Sequence, residues 1–126
     1  MILADKVRQA VEEFEEIKLL YLFGSQVGKK STELSDYDFA IFLDEKTSGN
    51  REKEIILRLS AKLSLILKRN NIDLVILNRS LSPLLKFMVL KEGKLLYQKE
   101  PYRVIVEPTI YSEYFDFQLF KHLHNI

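Results

Sequence analysis

The sequence predicts an α/β (α+β) domain built on a single mixed sheet of about four strands with flanking helices. Three observations support this. Short apolar runs recur at Lys18 to Phe23, Tyr37 to Leu43 and Ile72 to Leu77, and segments with apolar residues at three-and-four spacing alternate with them. The chain has 126 residues, enough for one compact core, and no linker or composition shift divides it.

Each element has its own signal. Leu3, Val7, Ala10, Val11 and Phe14 recur at helical spacing among Glu12, Glu13, Glu15 and Glu16, so the first sixteen residues read as an amphipathic helix. Lys18 to Phe23 (KLLYLF) is closed by Gly24 and reads as a strand covered on both faces, as do YDFAIFL and IDLVIL. Between the last two, Ile55, Ile56, Leu59, Leu63, Ile66 and Leu67 mark a long helix over Glu52 to Arg69. Ser82-Pro83 supplies a cap and a first-turn proline for a helix that Gly93 closes. Lys94 to Gln98 (KLLYQ) reads as an edge strand. Pro101 and Pro108 are expected to interrupt the chain after this strand, with a last helix over Tyr111 to Leu123. The whole of 1–126 reads as one domain carrying an aromatic helical segment at about 102–126, where six of the 14 aromatic residues fall between Tyr102 and Phe120.

Composition narrows the chemistry. There is no Cys, which excludes disulfides, thiolate metal sites and Cys nucleophiles, and both His, His122 and His124, lie in the last five residues and are assigned no role. No apolar run approaches a membrane span, so a cytoplasmic protein is expected. The net charge of +1 does not predict direct nucleic-acid binding. That near-zero sum conceals a division: residues 1–50 carry −4, residues 51–100 carry +6 and the remainder −1.

Gly24-Ser-Gln-Val-Gly-Lys-Lys-Ser31 looks at first like a P-loop, but three residues separate its glycines where a P-loop needs four. A sharper pattern is Gly24-Ser25, ten residues, then Asp36-Tyr37-Asp38 opening a strand, with Asp73 near the start of the next. Side chains two apart on a strand share a face, so Asp36 and Asp38 project together, and Asp73 joins them if its strand lies alongside. Clustered carboxylates repel unless compensated, and with no His or Cys nearby a hard divalent cation is the natural counter-charge. Oxygen ligation with open positions suits two Mg²⁺ ions, or Mn²⁺, clamping an in-line phosphoryl or nucleotidyl displacement. Gly24 lets the backbone approach a ligand and Ser25 can donate to phosphate oxygens, with Lys29 and Lys30 within reach of a triphosphate.

These residues resemble the signature of the DNA polymerase β-type nucleotidyltransferase superfamily, and the small size resembles its minimal nucleotidyltransferases, the MNT proteins. Tyr114-Phe115-Asp116-Phe117 is similar to the closing helix of MNT antitoxins. The resemblance implies a polymerase β-like fold and a two-metal transfer of a nucleotide from ATP to an acceptor hydroxyl, with release of pyrophosphate. By position it implies Asp36, Asp38 and Asp73 as catalytic metal ligands, with Asp73 helping to deprotonate the acceptor, and Gly24 and Ser25 as nucleotide-binding residues. For MNT antitoxins it further implies a hetero-oligomer with a HEPN toxin, a small helical RNase silenced by AMP on a tyrosine. Many relatives place an Arg shortly after Gly-Ser; this chain has Val27-Gly28-Lys29 there. A nucleotidyltransferase acting on a small molecule or RNA, and a catalytically silent toxin-binding antitoxin, are the alternatives.

Overall fold

In the computed structural model, which describes residues 2–24, 37–79 and 82–125, helices cover both faces of a four-stranded sheet. The elements run α1 (Leu3–Glu12), β1 (Ile17–Phe23), β2 (Tyr37–Leu43), α2 (Gly49–Leu67), β3 (Ile72–Ile76), α3 (Pro83–Glu92), β4 (Lys94–Gln98) and α4 (Tyr102–Leu123). The sheet order is β3-β2-β1-β4; β1 is antiparallel to β2 and to β4, whereas β2 and β3 are parallel and joined through α2. The sheet is therefore mixed, and KLLYQ lies at its edge as its sequence predicts.

Strand alternation divides the core in two. Leu20, Phe39, Ile41 and Ile76 face α1 and α2, packing with Val7, Val11, Ile55, Leu59 and Leu63. Leu19, Tyr21, Ala40 and Leu77 face α3 and α4, packing with Val89, Val106 and Ile110. A register shift between Ile17 and Leu19 puts those two residues in different core layers despite their even spacing.

The helix ends depart from expectation by three residues or more in three places, each for a local reason. α1 stops at Glu12, four residues early, because Phe14 turns into the core at 1% exposure, under the cations of Arg51, Arg58 and Lys62. α2 begins at Gly49, three residues early, because the Ser48 side chain caps it by accepting from Arg51 N at 3.1 Å. α4 begins at Tyr102 and runs straight through Pro108, so the expected interruption at that proline does not occur. The carbonyl that Pro108 leaves unbonded belongs to Val104, on the exposed side of the helix where water can satisfy it. Burial of Val106 and Ile110 on the opposite side offsets the remaining cost.

Ser82 caps α3 by accepting from Leu85 N at 3.1 Å, and Gly93 ends it as the sequence predicts. Its φ of −79° is ordinary; glycine is needed because a Cβ would strike the Val89 carbonyl and stand 3.1 Å from that of Leu22. The α3 to β4 connection is thereby pressed against the end of β1.

Candidate active site

The start of β2 and the start of β3 lie side by side, and their parallel register pairs Asp38 directly with Asp73. Neighbouring strands stand about 4.8 Å apart, and paired residues of a parallel ladder point to the same face. Asp38 shares its side of β2 with Ala40, and Asp73 its side of β3 with Val75, both of which face the α3 and α4 layer. The two carboxylates therefore project together from one face at one end of the sheet. Asp38 is half-buried and Asp73 is exposed, as suits a pair that must meet a ligand arriving from solvent.

Gly24 stands on the other side of Asp38. β1 is antiparallel to β2 with Phe23 opposite Asp38, so the chain leaving β1 passes over that carboxylate. Gly24 has φ +80°, and a Cβ there would lie 3.0 Å from Asp38 Cγ and closer still to Oδ2. Only glycine lets the backbone turn and approach this side chain so closely. Of the five residues singled out from the sequence, the structure brings Gly24, Asp38 and Asp73 together. Ser25 and Asp36 lie outside the described residues, as do Ser35, Lys29, Lys30 and the Val27-Gly28-Lys29 segment.

The donor chemistry fits a hard divalent cation. Two carboxylates in register, with no nitrogen or sulfur ligand near them in sequence, offer the oxygen-only, open set that Mg²⁺ accepts. Among the described residues no group of three potential ligands is assembled, so a site that needs a third carboxylate must draw it from elsewhere in the chain.

Polar ties elsewhere in the domain fasten the helices to the sheet. Tyr21 Oη donates to Glu107 Oε2 at 2.5 Å, fastening α4 to the centre of the sheet, and Arg103 Nε approaches the other Glu107 oxygen at 3.2 Å. Burial, then the bond to Glu107, pushes the Tyr21 hydroxyl above its usual range. The nearly buried Glu52 carboxylate accepts from Arg79 Nε at 2.6 Å and Nη2 at 2.9 Å, tying α2 to the residues after β3. Arg51 holds Glu16 at 2.6 Å and keeps that carboxyl below the usual glutamate range.

A cleft of about 440 Å³ lies at the opposite end of the sheet, lined by Phe42, Leu77, Arg79, Lys86, Ile105 and Glu113 among others. Phe42 is four residues along β2 from Asp38, on the order of 13 Å at strand rise. Its cations are engaged, Arg79 with Glu52 and Lys86 with Glu113. Concavity alone does not supply metal or phosphate chemistry, so the carboxylate end remains the candidate centre.

Comparison with known proteins assigns the family and the fold. Residues 5–102 match the family Polymerase beta, Nucleotidyltransferase, and the chain belongs to that family. A search of curated protein sequences gave no significant match. Among solved structures, a toxin–antitoxin complex with AMP-PNP aligns at TM-score 0.75 and 24% identity, covering 97% of this chain and 94% of that one. A mutant of the toxin–antitoxin MntA-HpeT aligns at TM-score 0.72 and 25% identity, covering 98% and 94%. A tri-AMPylated Shewanella oneidensis HEPN toxin in complex with MNT antitoxin aligns at TM-score 0.69 and 24% identity, covering 96% and 91%. The fold is thus that of a nucleotidyltransferase, and it is shared along nearly its full length with chains from toxin–antitoxin complexes.

Proposed function

We propose that this chain is an MNT antitoxin, an Mg²⁺-dependent protein adenylyltransferase that moves AMP from ATP onto a tyrosine hydroxyl of a cognate HEPN toxin. The observation that carries the reading is the register of Asp38 with Asp73 on one face, with Gly24 drawn over the Asp38 carboxylate. The family match supports nucleotidyl transfer as the reaction class. The similarity to complexes of an AMPylated HEPN toxin and of AMP-PNP supports the acceptor and the donor.

In this reading Asp36, Asp38 and Asp73 hold the divalent ions, which when bound neutralise the triphosphate and stabilise the charge developing at the α-phosphorus. Gly24 and Ser25 cradle the phosphate tail through close backbone approach. The tyrosine oxygen attacks the α-phosphorus in line, the bond from that phosphorus to the bridging oxygen breaks, and pyrophosphate leaves with the electron pair. Asp73, the more exposed carboxylate of the described pair, takes the hydroxyl proton. The test is to incubate the purified chain with labelled ATP, Mg²⁺ and the cognate toxin. Label should appear on the toxin and disappear with Asp38→Asn or Asp73→Asn. A toxin left unlabelled by the wild-type chain defeats the proposal.

A further inference from the structure

α4 is apolar on more sides than the one that meets the sheet. Its first half is anchored: Val106 and Ile110 are buried, Tyr21 bonds Glu107, Lys86 pairs with Glu113 at 3.3 Å, and Phe87 stacks on Tyr114 with centroids 3.9 Å apart. The hydrogen bonds, ion pairs and ring contacts that join α4 to the other described residues stop at Phe115, which meets Phe87 edge-on. Beyond that point such contacts stay within the helix and its cap, Lys121 over Phe117 and His124 on Phe120.

The last turns of the helix are nonetheless rich in large apolar side chains. Phe115 is 61% exposed, Phe117 37%, Leu119 56%, Phe120 50% and Leu123 67%. At 3.6 residues per turn, Phe115, Leu119 and Leu123 form one stripe, and Phe120 and Phe117 carry the apolar surface round to roughly 200° of arc. Val104 and Ile105, also exposed, extend the first stripe back along the helix. The apolar arc, interrupted by Asp116 and bounded by Gln118, Lys121 and His122, is wider than the stripe one flat contact covers, and three turns alone are marginal in water.

The arrangement discriminates between occupants. A second copy packing helix against helix would cover one stripe and leave Phe117 and Phe120 wet. With on the order of 150 Å² per large side chain, about half exposed, such a contact falls well short of the ~1,200 Å² of a stable interface. A groove that receives the helix from several sides would cover all five residues. We infer that turns 115–123 of α4 insert into an apolar groove between helices of the toxin partner. This rests on the proposed function for the partner's identity. α4 packs on the sheet face from which Asp38 and Asp73 project.

Phe115→Glu and Leu119→Glu place charges at exposed positions and should leave the circular dichroism spectrum and Tm near wild type. In calorimetric titration against the purified cognate HEPN toxin, each should weaken binding at least 100-fold, while Asp38→Asn binds as wild type does. Equal binding by both Glu variants and the wild type would overturn the inference while leaving the toxin as partner. A wild-type chain that forms a dimer in sedimentation experiments, with the Glu variants monomeric, would assign the surface to a second copy instead. Failure of the wild-type chain to bind the toxin would remove the partner itself, and this inference with it.

Discussion

Replacing Gly24 with Ala separates the cost to the site from the cost to the fold. The new Cβ would stand 3.0 Å from Asp38 Cγ, 3.2 Å from its Cβ and closer still to Oδ2, where an ordinary contact is 3.4–4 Å. The atom it meets first is the far end of a side chain, so Asp38 can swing aside by about 1 Å without disturbing the sheet. Alanine at φ +80° adds backbone strain of about 1–2 kcal/mol, which in a domain of this size lowers Tm by roughly 3–8 °C. Displacement of a reacting or ligating group by about 1 Å costs on the order of 100-fold in rate. Gly24→Ala should therefore remain folded, melt a few degrees early and transfer AMP about 100-fold more slowly, as read by labelled-ATP transfer beside a thermal melt. Wild-type transfer accompanied by the expected drop in Tm would show that the Asp38 carboxylate need not stand where it does, and would refute the reasoning. Gly49→Ala is the control: nothing lies within 4 Å of its added Cβ, so transfer should be unchanged and stability equal or slightly raised.

The same geometry sets four further outcomes. Tyr21→Phe removes the 2.5 Å bond to Glu107 and should cost about 1–2 kcal/mol, read by urea unfolding. Because the folded Tyr21 hydroxyl titrates above its unfolded value of about 10, the unfolded chain loses that proton first; wild-type stability should fall above about pH 10, and Tyr21→Phe should flatten the fall. Arg51 lowers the Glu16 carboxyl, so its contribution is present above the unfolded value and lost as pH falls below it; Glu16→Gln should make the acid limb of a stability profile shallower. Pro108→Ala restores a donor to the Val104 carbonyl in mid-helix and should raise stability by about 1 kcal/mol or more in thermal melts.

The strands and the candidate centre were legible because both depend on local pattern. YDFAIFL and IDLVIL announce strands, although β3 lies at the sheet edge and buries only Ile76, and the β2-α2-β3 order implies the parallel pair that puts Asp38 beside Asp73. Gly24 could be marked from its place after a strand, although its closeness to Asp38 depends on the β1 to β2 register. What sequence reasoning missed was decided by tertiary packing. Phe14 fits the helical period of α1 yet leaves the helix to fill the core. Pro108 reads as a breaker until the burial of Val106 and Ile110 on either side of it is known. The aromatic residues of α4 were equally compatible with packing on the body and with an interface, and the structure divides them: Tyr111 and Tyr114 pack on Phe87, Phe115 meets that ring edge-on while staying largely exposed, and Phe117 and Phe120 are left to solvent.

The central claim is that two registered carboxylates on this fold transfer AMP to a partner protein. Intact-mass spectrometry of the cognate HEPN toxin, after incubation with this chain, ATP and Mg²⁺, tests it most directly. The expected result is a toxin heavier by one or more AMP units, carried on tyrosine, and an unchanged toxin when Asp38→Asn or Asp73→Asn replaces the wild-type chain or when the metal is chelated. A toxin bound and silenced by the wild-type chain yet unchanged in mass would contradict it.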